Sequence, residues 1–423
     1  LIVPSNEQGA GFMASGYARS TGKPGVVMVT SGPGATNTVT PVRDAMADSI
    51  PMVIICGQVS RQAIGSDAFQ EAPVTSVMGS VAKHVFLVTD ENKLAATLKA
   101  AFEVATSGRP GPVVVDIPKD VQTAEISEED YEDTNISAYS NRILAIEKSR
   151  LNEEKSSEFF THLGNSKRPL IYFGGGVISA SASKELREFV DYFNLPAVST
   201  LMGLGAVDTR HPSSLHMLGM HGTPYANYAV QESDFLIAIG SRFDDRVAGV
   251  PEKFAPKAKV IAHFDVDPSE INKVKNAAWS HLGVLSLALK DLIKHAKSND
   301  LEFNFGDWLS HTGELKSKYP LNFNRSSDLI QPEHVIECIN KITKGDAIVT
   351  TGVGQHQMWA AQYFDFKEPR LWLTSGSMGT MGFGIPAAIG AQIAHPDKTV
   401  IDVDGDGSIR MNLGDLETIT NYD

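Results

Sequence analysis

The chain has 423 residues, with 50 acidic against 37 basic side chains, a formal charge of −13, 42% hydrophobic residues and 21% charged ones. The acidic balance argues against nucleic acid or an anionic membrane as the main partner, and the apolar runs are strand-length, so no membrane crossing is predicted. At ~150 residues per domain the length suggests roughly three domains. Cys56 and Cys338 stand far apart in apolar patterns and read as buried, reduced thiols.

Leu1 to Glu7 predicts the end of a strand and a turn. Asn6 can cap the helix that follows, in which Met13, Ala14, Tyr17 and Ala18 recur at helical spacing. Glu7 falls at the first turn, where a carboxylate either complements the helix dipole or meets a heterocycle nitrogen. Gly9, Ala10 and Gly11 leave room for something flat or bulky. Gly25 to Thr30 is the next strand and runs into Ser31-Gly-Pro-Gly-Ala-Thr-Asn37 and another helix. A strand, a glycine-rich turn and a helix N-terminus form an anion or cofactor cradle, here with the spacing of neither the Walker loop nor the dinucleotide fingerprint. Strands are predicted at 51–57, 83–88 and 111–117, with a helix over 91–107, and the alternation means a parallel sheet covered on both faces.

Residues 122–167 are polar, with an amphipathic patch at Ile143 to Leu151, and read as a surface linker followed by the first helix of a second domain. From Pro169 the α/β pattern resumes. Strands at 170–173, 195–200, 235–240 and 260–264 each run into glycines or charged residues, the last into Asp265-Val-Asp267. Glycines at strand ends and an acid after a strand suit a dinucleotide, although no strict G-x-G-x-x-G occurs. Arg242 and Arg246 with Asp244 and Asp245 read either as solvated ion pairs of little weight or as part of such a site. Residues 301–327 read as a second linker and Pro332 to Ile342 as a helix. Three further strands follow, at 347–351, 370–374 and 399–403. They run into Gly352-Val-Gly-Gln-His356, Ser375-Gly-Ser-Met-Gly-Thr-Met-Gly382 and Asp404-Gly-Asp-Gly-Ser408. A carboxylate at a strand's C-terminal end suits a hard cation such as Mg²⁺, and the cation suits a diphosphate. The chain begins inside an expected strand and stops just after an expected helix start, so it reads as truncated at both ends.

Several stretches, in this order, carry a resemblance: Asn6-Glu-Gln-Gly-Ala-Gly11, Ser31-Gly-Pro-Gly-Ala-Thr-Asn37, Ser66-Asp-Ala-Phe-Gln-Glu71, Thr200-Leu-Met-Gly-Leu-Gly205, Gly219-Met-His-Gly222, Ser241-Arg-Phe-Asp-Asp-Arg246, Gly354-Gln-His-Gln-Met-Trp359 and Gly379-Thr-Met-Gly382. Together they resemble the thiamine-diphosphate-dependent enzymes and, within that superfamily, the catalytic subunits of the acetohydroxyacid (acetolactate) synthase family. The resemblance covers nearly the whole chain. It implies an α/β fold of three doubly wound parallel-sheet domains. These are a pyrimidine-binding domain at 1–121, a linker at 122–167, a central FAD-binding domain at 168–300, a linker at 301–330 and a diphosphate-binding domain at 331–423.

The resemblance also implies roles. Glu7 bonds the aminopyrimidine of thiamine diphosphate. Phe69, Gln70 and Lys119 line the channel to its thiazolium. Gln355, His356, Gly379, Gly405, Gly407 and Ser408 surround the diphosphate, Met381 wedges the cofactor into a bent shape, and Asp406 is a Mg²⁺ ligand. The FAD, structural rather than redox-active, is surrounded by Arg109, Gly175, Gly176, Thr200, Leu201, Met220, His221, Gly240, Arg242, Asp244, Arg246, Asp265 and Val266. The implied enzyme decarboxylates pyruvate and joins the two-carbon unit to a second 2-ketoacid, pyruvate or 2-ketobutyrate, in the first common step toward the branched-chain amino acids. The implied assembly is a homodimer or homotetramer with a possible small regulatory subunit, located in the cytoplasm if bacterial and in a plastid or mitochondrion if eukaryotic. Alternatives are an FAD-containing pyruvate oxidase, from which Asp67-Ala-Phe-Gln70 and Phe243-Asp-Asp-Arg246 point away, and a non-catalytic paralogue. Retention of Glu7, Asp406 and Met381 argues against the paralogue.

Overall fold

The computed structural model describes residues 1–126 and 134–422. Part of the first expected linker, 127–133, and Asp423 at the end of the third expected domain lie outside the described residues. Strand–helix alternation gives three sheets. In the first, β1 (Gly25–Val29), β2 (Met52–Gln58), β3 (His84–Leu87) and β4 (Pro112–Pro118) lie in the order β1-β2-β4-β3, every pair parallel. Alternate residues of the central strands feed separate cores. Ile54, Cys56 and Val114 enter one, and Val53, Val113, Val115 and Ile117 enter the other, which is why these strands read as unbroken apolar runs.

The second sheet has β5 (Pro169–Phe173), β6 (Ala197–Ser199), β7 (Ser214–Met217), β8 (Phe235–Ile239), β9 (Val260–Asp265) and β10 (Trp279–Leu282) in the order β10-β9-β8-β5-β6-β7, again all parallel. Neither β7 nor β10 stands out in the sequence, because each is four residues long and interrupted by a histidine, His216 or His281. The third sheet joins β11 (Ile348–Thr351), β12 (Trp372–Leu373) and β13 (Val400–Val403) in the order β12-β11-β13. The chain divides into two compact units. One holds Leu1–Ile143, Ile348–Gln357 and Leu373–Asp423, and so combines the first and third sheets; the other holds Leu144–Ala347 and Met358–Trp372.

The second unit is built on rings. Phe159 packs against Phe160, Phe189, Phe235, Phe264 and Trp279 at centroid distances of 5.3–6.3 Å. Phe159 belongs to the helix Glu153–Asn165, whose Asn152 cap accepts from the Lys155 amide at 2.8 Å. The amphipathic patch read at Ile143 to Leu151 instead starts in a separate helix, Ser137–Glu147, that buries none of its residues. The stretch 301–330 contains the helix Gly306–Lys318, whose Trp308, Thr312 and Leu315 form a buried stripe. The Trp308 indole donates to the Pro169 carbonyl at 2.9 Å, so this segment packs on the unit's sheet.

In the first unit Asn6 caps the helix Glu7–Thr21 as expected, its side chain accepting from the Gly9 amide at 2.9 Å. Leu1 to Val3 form no strand ladder, contrary to the sequence reading. Pro4 has no amide donor, and the Val3 amide is bonded to the Tyr422 hydroxyl at 3.0 Å. The small residues of this helix also serve a different end from the one expected. A Cβ on Gly9 would lie 2.2 Å from the Asp415 carboxylate, and one on Gly11 would lie 2.4 Å from the Pro41 ring. The space is taken by protein. The helix Gly384–Ala394 comes closest: a Cβ on Gly16 would fall 2.2 Å from the Ala387 carbonyl oxygen, and one on Gly390 would fall 1.9 Å from that of Met13. Cys56 is buried, but Cys338 is exposed. Cys338 lies on the helix Pro332–Thr343, which buries only Ile336 and leaves Val335 and Ile342 in solvent, so its apolar pattern does not mark a core face.

The helix contact makes a prediction with a definite sign. Intrinsic propensity alone would make Gly16→Ala stabilising by ~1 kcal/mol. The clash with the Ala387 carbonyl reverses this, and we expect a net loss of ~1–3 kcal/mol in a denaturant titration. A higher unfolding midpoint would contradict the close approach.

Candidate functional site

The third sheet presents two turns side by side, because β11 and β13 are parallel neighbours. After β11, Gly352, Val353 and Gly354 lead into the helix Gln355–Tyr363; after β13, Asp404 to Gly407 lead into the helix Ser408–Met411. A Cβ on Gly352 would fall 1.8 Å from Asp404 Oδ1 and 2.1 Å from Ser408 Oγ, and one on Gly405 would fall 2.7 Å from the His356 ring. The segment after β12 closes on the same place. The Gly382 amide donates to Ser408 Oγ at 2.9 Å, and Asn412 Nδ2 donates to the Gly382 carbonyl at 2.6 Å. Met381 Cε lies against Gly407, and Gly379, with φ of +64°, faces Val353. His356, Gly379, Met381, Gly405, Gly407 and Ser408 are thus brought together, with Gln355 exposed at the start of its helix.

Among the described residues, His356 Nε2, Asp404 Oδ2 and Asn412 Oδ1 are buried in this cradle with no hydrogen-bond partner, and His356 Nε2 stands 3.5 Å from Asp404 Oδ1. Burial lowers the His356 pKa, which favours a neutral ring. The Asp406 carboxylate is exposed. Among the described residues no group of three or more His, Cys, Asp or Glu side chains is placed to hold a metal ion. A cation at Asp406 would take its other donors from a ligand and water, as Mg²⁺ does when it is bound by one carboxylate and phosphate oxygens. Glycine-lined backbone, unpartnered buried atoms and one open carboxylate fit a diphosphate with its cation. Beneath them Asp402, inside β13, accepts from Thr350 Oγ1 at 3.0 Å, and burial pushes its carboxyl up to about 7. The apolar run around it hid this acid from sequence reading.

In the first sheet Glu7 Oε2 accepts from Asn37 Nδ2 at 2.9 Å, so the first helix start meets the end of the Ser31–Asn37 motif. Asn37 had been quoted in that motif without a role. Gly32 has φ of +61°, and a Cβ there would lie 2.7 Å from the Gln70 carbonyl. The loop carrying Phe69 and Gln70 is stiffened by Glu71, which accepts from the amides of Gly65 and Ala68. Those backbone bonds hold its carboxyl below the usual range. Arg61 ties the loop's other end to Asp120 at 2.6 Å and to Glu91 at 2.8 Å. Lys119, exposed, directly precedes Asp120, and Phe69 is 89% exposed.

In the six-stranded sheet the residues expected around a flavin sit at strand C-terminal ends, about the order reversal between β8 and β5. Gly175 and Gly176 follow β5, Thr200 and Leu201 follow β6, Met220 and His221 follow β7, and Gly240, Arg242, Asp244 and Arg246 follow β8. Asp265 ends β9, with Val266 next. Some of the glycines answer to packing. The Gly176 amide donates to the Gly240 carbonyl at 2.9 Å, and a Cβ on Gly176 would lie 2.7 Å from that oxygen. The charged cluster is loose: Arg242 is 4.0 Å from Asp244 and Arg246 is 3.8 Å from Asp245, while Asp244 caps a short helix by accepting from the Val247 amide. Arg246 also approaches the Met220 sulfur at 3.8 Å, and Gln362 donates to the His221 carbonyl at 2.7 Å. Burial pushes the Asp265 carboxyl up to about 6. Arg109 belongs to the other unit, where it donates to Ser49 Oγ at 2.9 Å.

Three descriptions of thiamine pyrophosphate enzymes match the chain: the N-terminal TPP binding domain over residues 1–78, the central domain over 157–292 and the C-terminal TPP binding domain over 352–423. The chain is 48% identical over 420 residues to the chloroplastic acetolactate synthase 2 of Nicotiana tabacum, covering 99% of this chain and 62% of that protein. It is 47% identical over 422 residues to the chloroplastic acetolactate synthase of Arabidopsis thaliana, covering 99% and 62%. With the chloroplastic acetolactate synthase 1 of Zea mays the identity is 47% over 416 residues, covering 98% and 64%. The chain thus spans a little under two thirds of the length of these relatives.

The Asp265 environment has a consequence for stability. With the carboxyl raised from 3.8 to about 6, the folded state binds more protons than the unfolded state across that window, so stability falls as pH rises through it. Asp265→Asn should match the parent below about pH 4 and gain on it up to about pH 6. Above that it should stay more stable by at most roughly 3 kcal/mol, at ~1.4 kcal/mol per pKa unit. Melting temperatures of the two proteins across pH test this; a variant less stable at pH 7 would contradict it.

Proposed function

The chain belongs to the thiamine pyrophosphate enzymes, and from that premise we propose that it forms the body of an acetolactate synthase using thiamine diphosphate, Mg²⁺ and FAD. Its substrates would be pyruvate and a second 2-ketoacid, either pyruvate or 2-ketobutyrate, at the entry to branched-chain amino-acid synthesis. The observation that carries this reading is the cradle of Gly352, Gly405, Gly407 and Ser408, in which His356 and Asp404 face each other at 3.5 Å and Asp404 Oδ2 is buried without a hydrogen-bond partner. In this reading residues 1–121 serve the pyrimidine, 168–300 the flavin and 331–423 the diphosphate, and the helices Glu153–Asn165 and Gly306–Lys318 of the two expected linkers complete the core around the six-stranded sheet.

When bound, thiamine diphosphate supplies the electron sink for loss of CO₂ and for joining the remaining two-carbon unit to the second ketoacid. The protein's part is positioning and proton control. Gln355 and His356 would hold the diphosphate beside the glycine turns, and Asp406 would hold its cation. Met381 and Gly379 supply the apolar, close-fitting side. Glu7 would hold a proton toward the pyrimidine ring, with its carboxyl oriented by the Asn37 bond to Oε2. Phe69 and Gln70 screen the approach from water. Lys119 is a fixed cation on an acidic protein and draws an anionic ketoacid. On the six-stranded sheet, Asp265 accepts from a ribose hydroxyl, and Arg242, Asp244, Arg246, Met220 and His221 border the flavin.

We propose a homodimer or homotetramer, an arrangement that would bury the exposed Leu416 and Ile419 of the helix Asp415–Tyr422. The chloroplastic relatives make a plastid the proposed compartment. The test uses the full-length protein with pyruvate and all three cofactors. Acetolactate is expected, and Glu7→Gln should lower its rate by ~10²–10⁴-fold with thiamine diphosphate still bound. Release of peroxide without acetolactate, or a Glu7→Gln protein at full rate, would defeat this assignment.

A further inference from the structure

A buried charge cluster lies behind the Met381 turn. Arg19, on the helix Glu7–Thr21, is 5% exposed, and its Nη2 is 2.9 Å from both Asp44 Oδ2 and Asp48 Oδ2 on the helix Val39–Asp48. Its Nε donates to Ser15 Oγ at 3.1 Å, and its guanidinium lies 5.0 Å from the Phe383 ring centroid. Two carboxylates against one guanidinium, both acid side chains fully enclosed, is a costly arrangement for a fold to keep.

The remaining acceptor capacity of both acids goes to residues 375–380. Ser375 Oγ donates to Asp44 Oδ1, and Thr380 Oγ1 donates to the same oxygen at 3.3 Å. The Gly376 and Ser377 amides donate to Asp48 at 3.0 and 2.9 Å. Ser375 Oγ in turn accepts from the Thr380 amide at 2.8 Å, which closes the turn on itself. One residue further on is Met381, and then Gly382, bonded to Ser408 and Asn412. The turn is therefore held from both sides, by the acid pair before Met381 and by the Ser408 helix after it. Burial pushes the Asp44 carboxyl up to about 6, against the opposing pull of Arg19 and the two hydroxyl bonds.

We propose that Arg19, Asp44 and Asp48 are positioning residues for the Ser375–Met381 turn and thereby set how tightly the protein holds thiamine diphosphate. This rests on the cofactor reading above. Neither acid touches the cradle; each acts through the backbone and hydroxyls of the turn.

The test is run on the full-length protein, comparing wild type with Ser375→Ala and Asp48→Asn. Ser375→Ala removes the bond to Asp44 and the acceptor of the Thr380 amide without changing any charge. It therefore decides the question even if Asp48→Asn fails to fold. Thiamine diphosphate is titrated at saturating Mg²⁺ with tryptophan fluorescence as readout, and the melting temperature is taken without cofactor. The expected result is affinity at least about tenfold weaker in Ser375→Ala, with a cofactor-free melting temperature close to wild type. Unchanged affinity would overturn the inference, as would a loss no larger than the unfolded fraction accounts for. Those outcomes leave the cofactor reading standing, whereas a wild-type protein that bound no thiamine diphosphate would remove both.

Discussion

The first unit depends on two helices touching backbone to backbone. Gly16 against the Ala387 carbonyl and Gly390 against that of Met13 leave no room for a side chain at either point. Phe12 and Phe383 then pack edge to face at 5.5 Å beside the contact. This approach joins the first sheet to the third. It sets Ser5 against the Gly414 carbonyl at 2.6 Å and brings Gly9 over Asp415. Residues far apart in the chain become neighbours because Gly16 and Gly390, one on each helix, put no side chain between them. Within one chain, the segments expected to serve the pyrimidine and the diphosphate lie largely in a single compact unit.

Buried acids recur wherever this unit needs to fix backbone without adding bulk. Asp44 and Asp48 bind a turn, Asp404 bonds its own neighbour's amide at 2.9 Å, and Asp402 sits under the turn after β11. Each is a short side chain with two acceptor oxygens, able to satisfy amides that a tight turn leaves unpaired. Desolvation raises the pKa of Asp44 and Asp402, so the arrangement stores a cost that the turn's hydrogen bonds offset.

Much of this was legible in the sequence, for identifiable reasons. Glycine-rich turns after short apolar runs placed the strand ends of all three sheets, and the Asn6 cap announced the first helix correctly. What failed to show was whatever depends on partners distant in sequence. Arg19, Asp44 and Asp48 look like ordinary helix-surface charges until the 375–380 turn is laid on them. The helix Gly306–Lys318 looked like a linker because only one stripe of it is apolar. Cys338 was misplaced by the opposite error, since local apolar neighbours do not make a buried face. The short strands β7 and β10 carry histidines and little periodicity, and only their ladder partners define them.

The two candidate sites use the same architecture with different amounts of spare bonding capacity. Both lie at the C-terminal ends of parallel strands, where glycine turns expose amides and an acid projects. At the third sheet the turns leave buried atoms of His356 and Asp404 without hydrogen-bond partners. At the six-stranded sheet the Gly176 amide donates to the Gly240 carbonyl, the Gly240 amide donates to the Phe264 carbonyl, and the Tyr172 hydroxyl donates to the Arg242 carbonyl. Glycines there answer first to backbone packing, and so they say less about a ligand than the same residues do beside β13. A glycine-rich strand end argues for a bound group through the hydrogen bonds left unmade at the turn itself: His356 and Asp404 flank the turns beside β11 and β13, whereas the unbonded His216 Nδ1, His263 Nδ1 and His281 Nε2 of the six-stranded sheet lie within its strands.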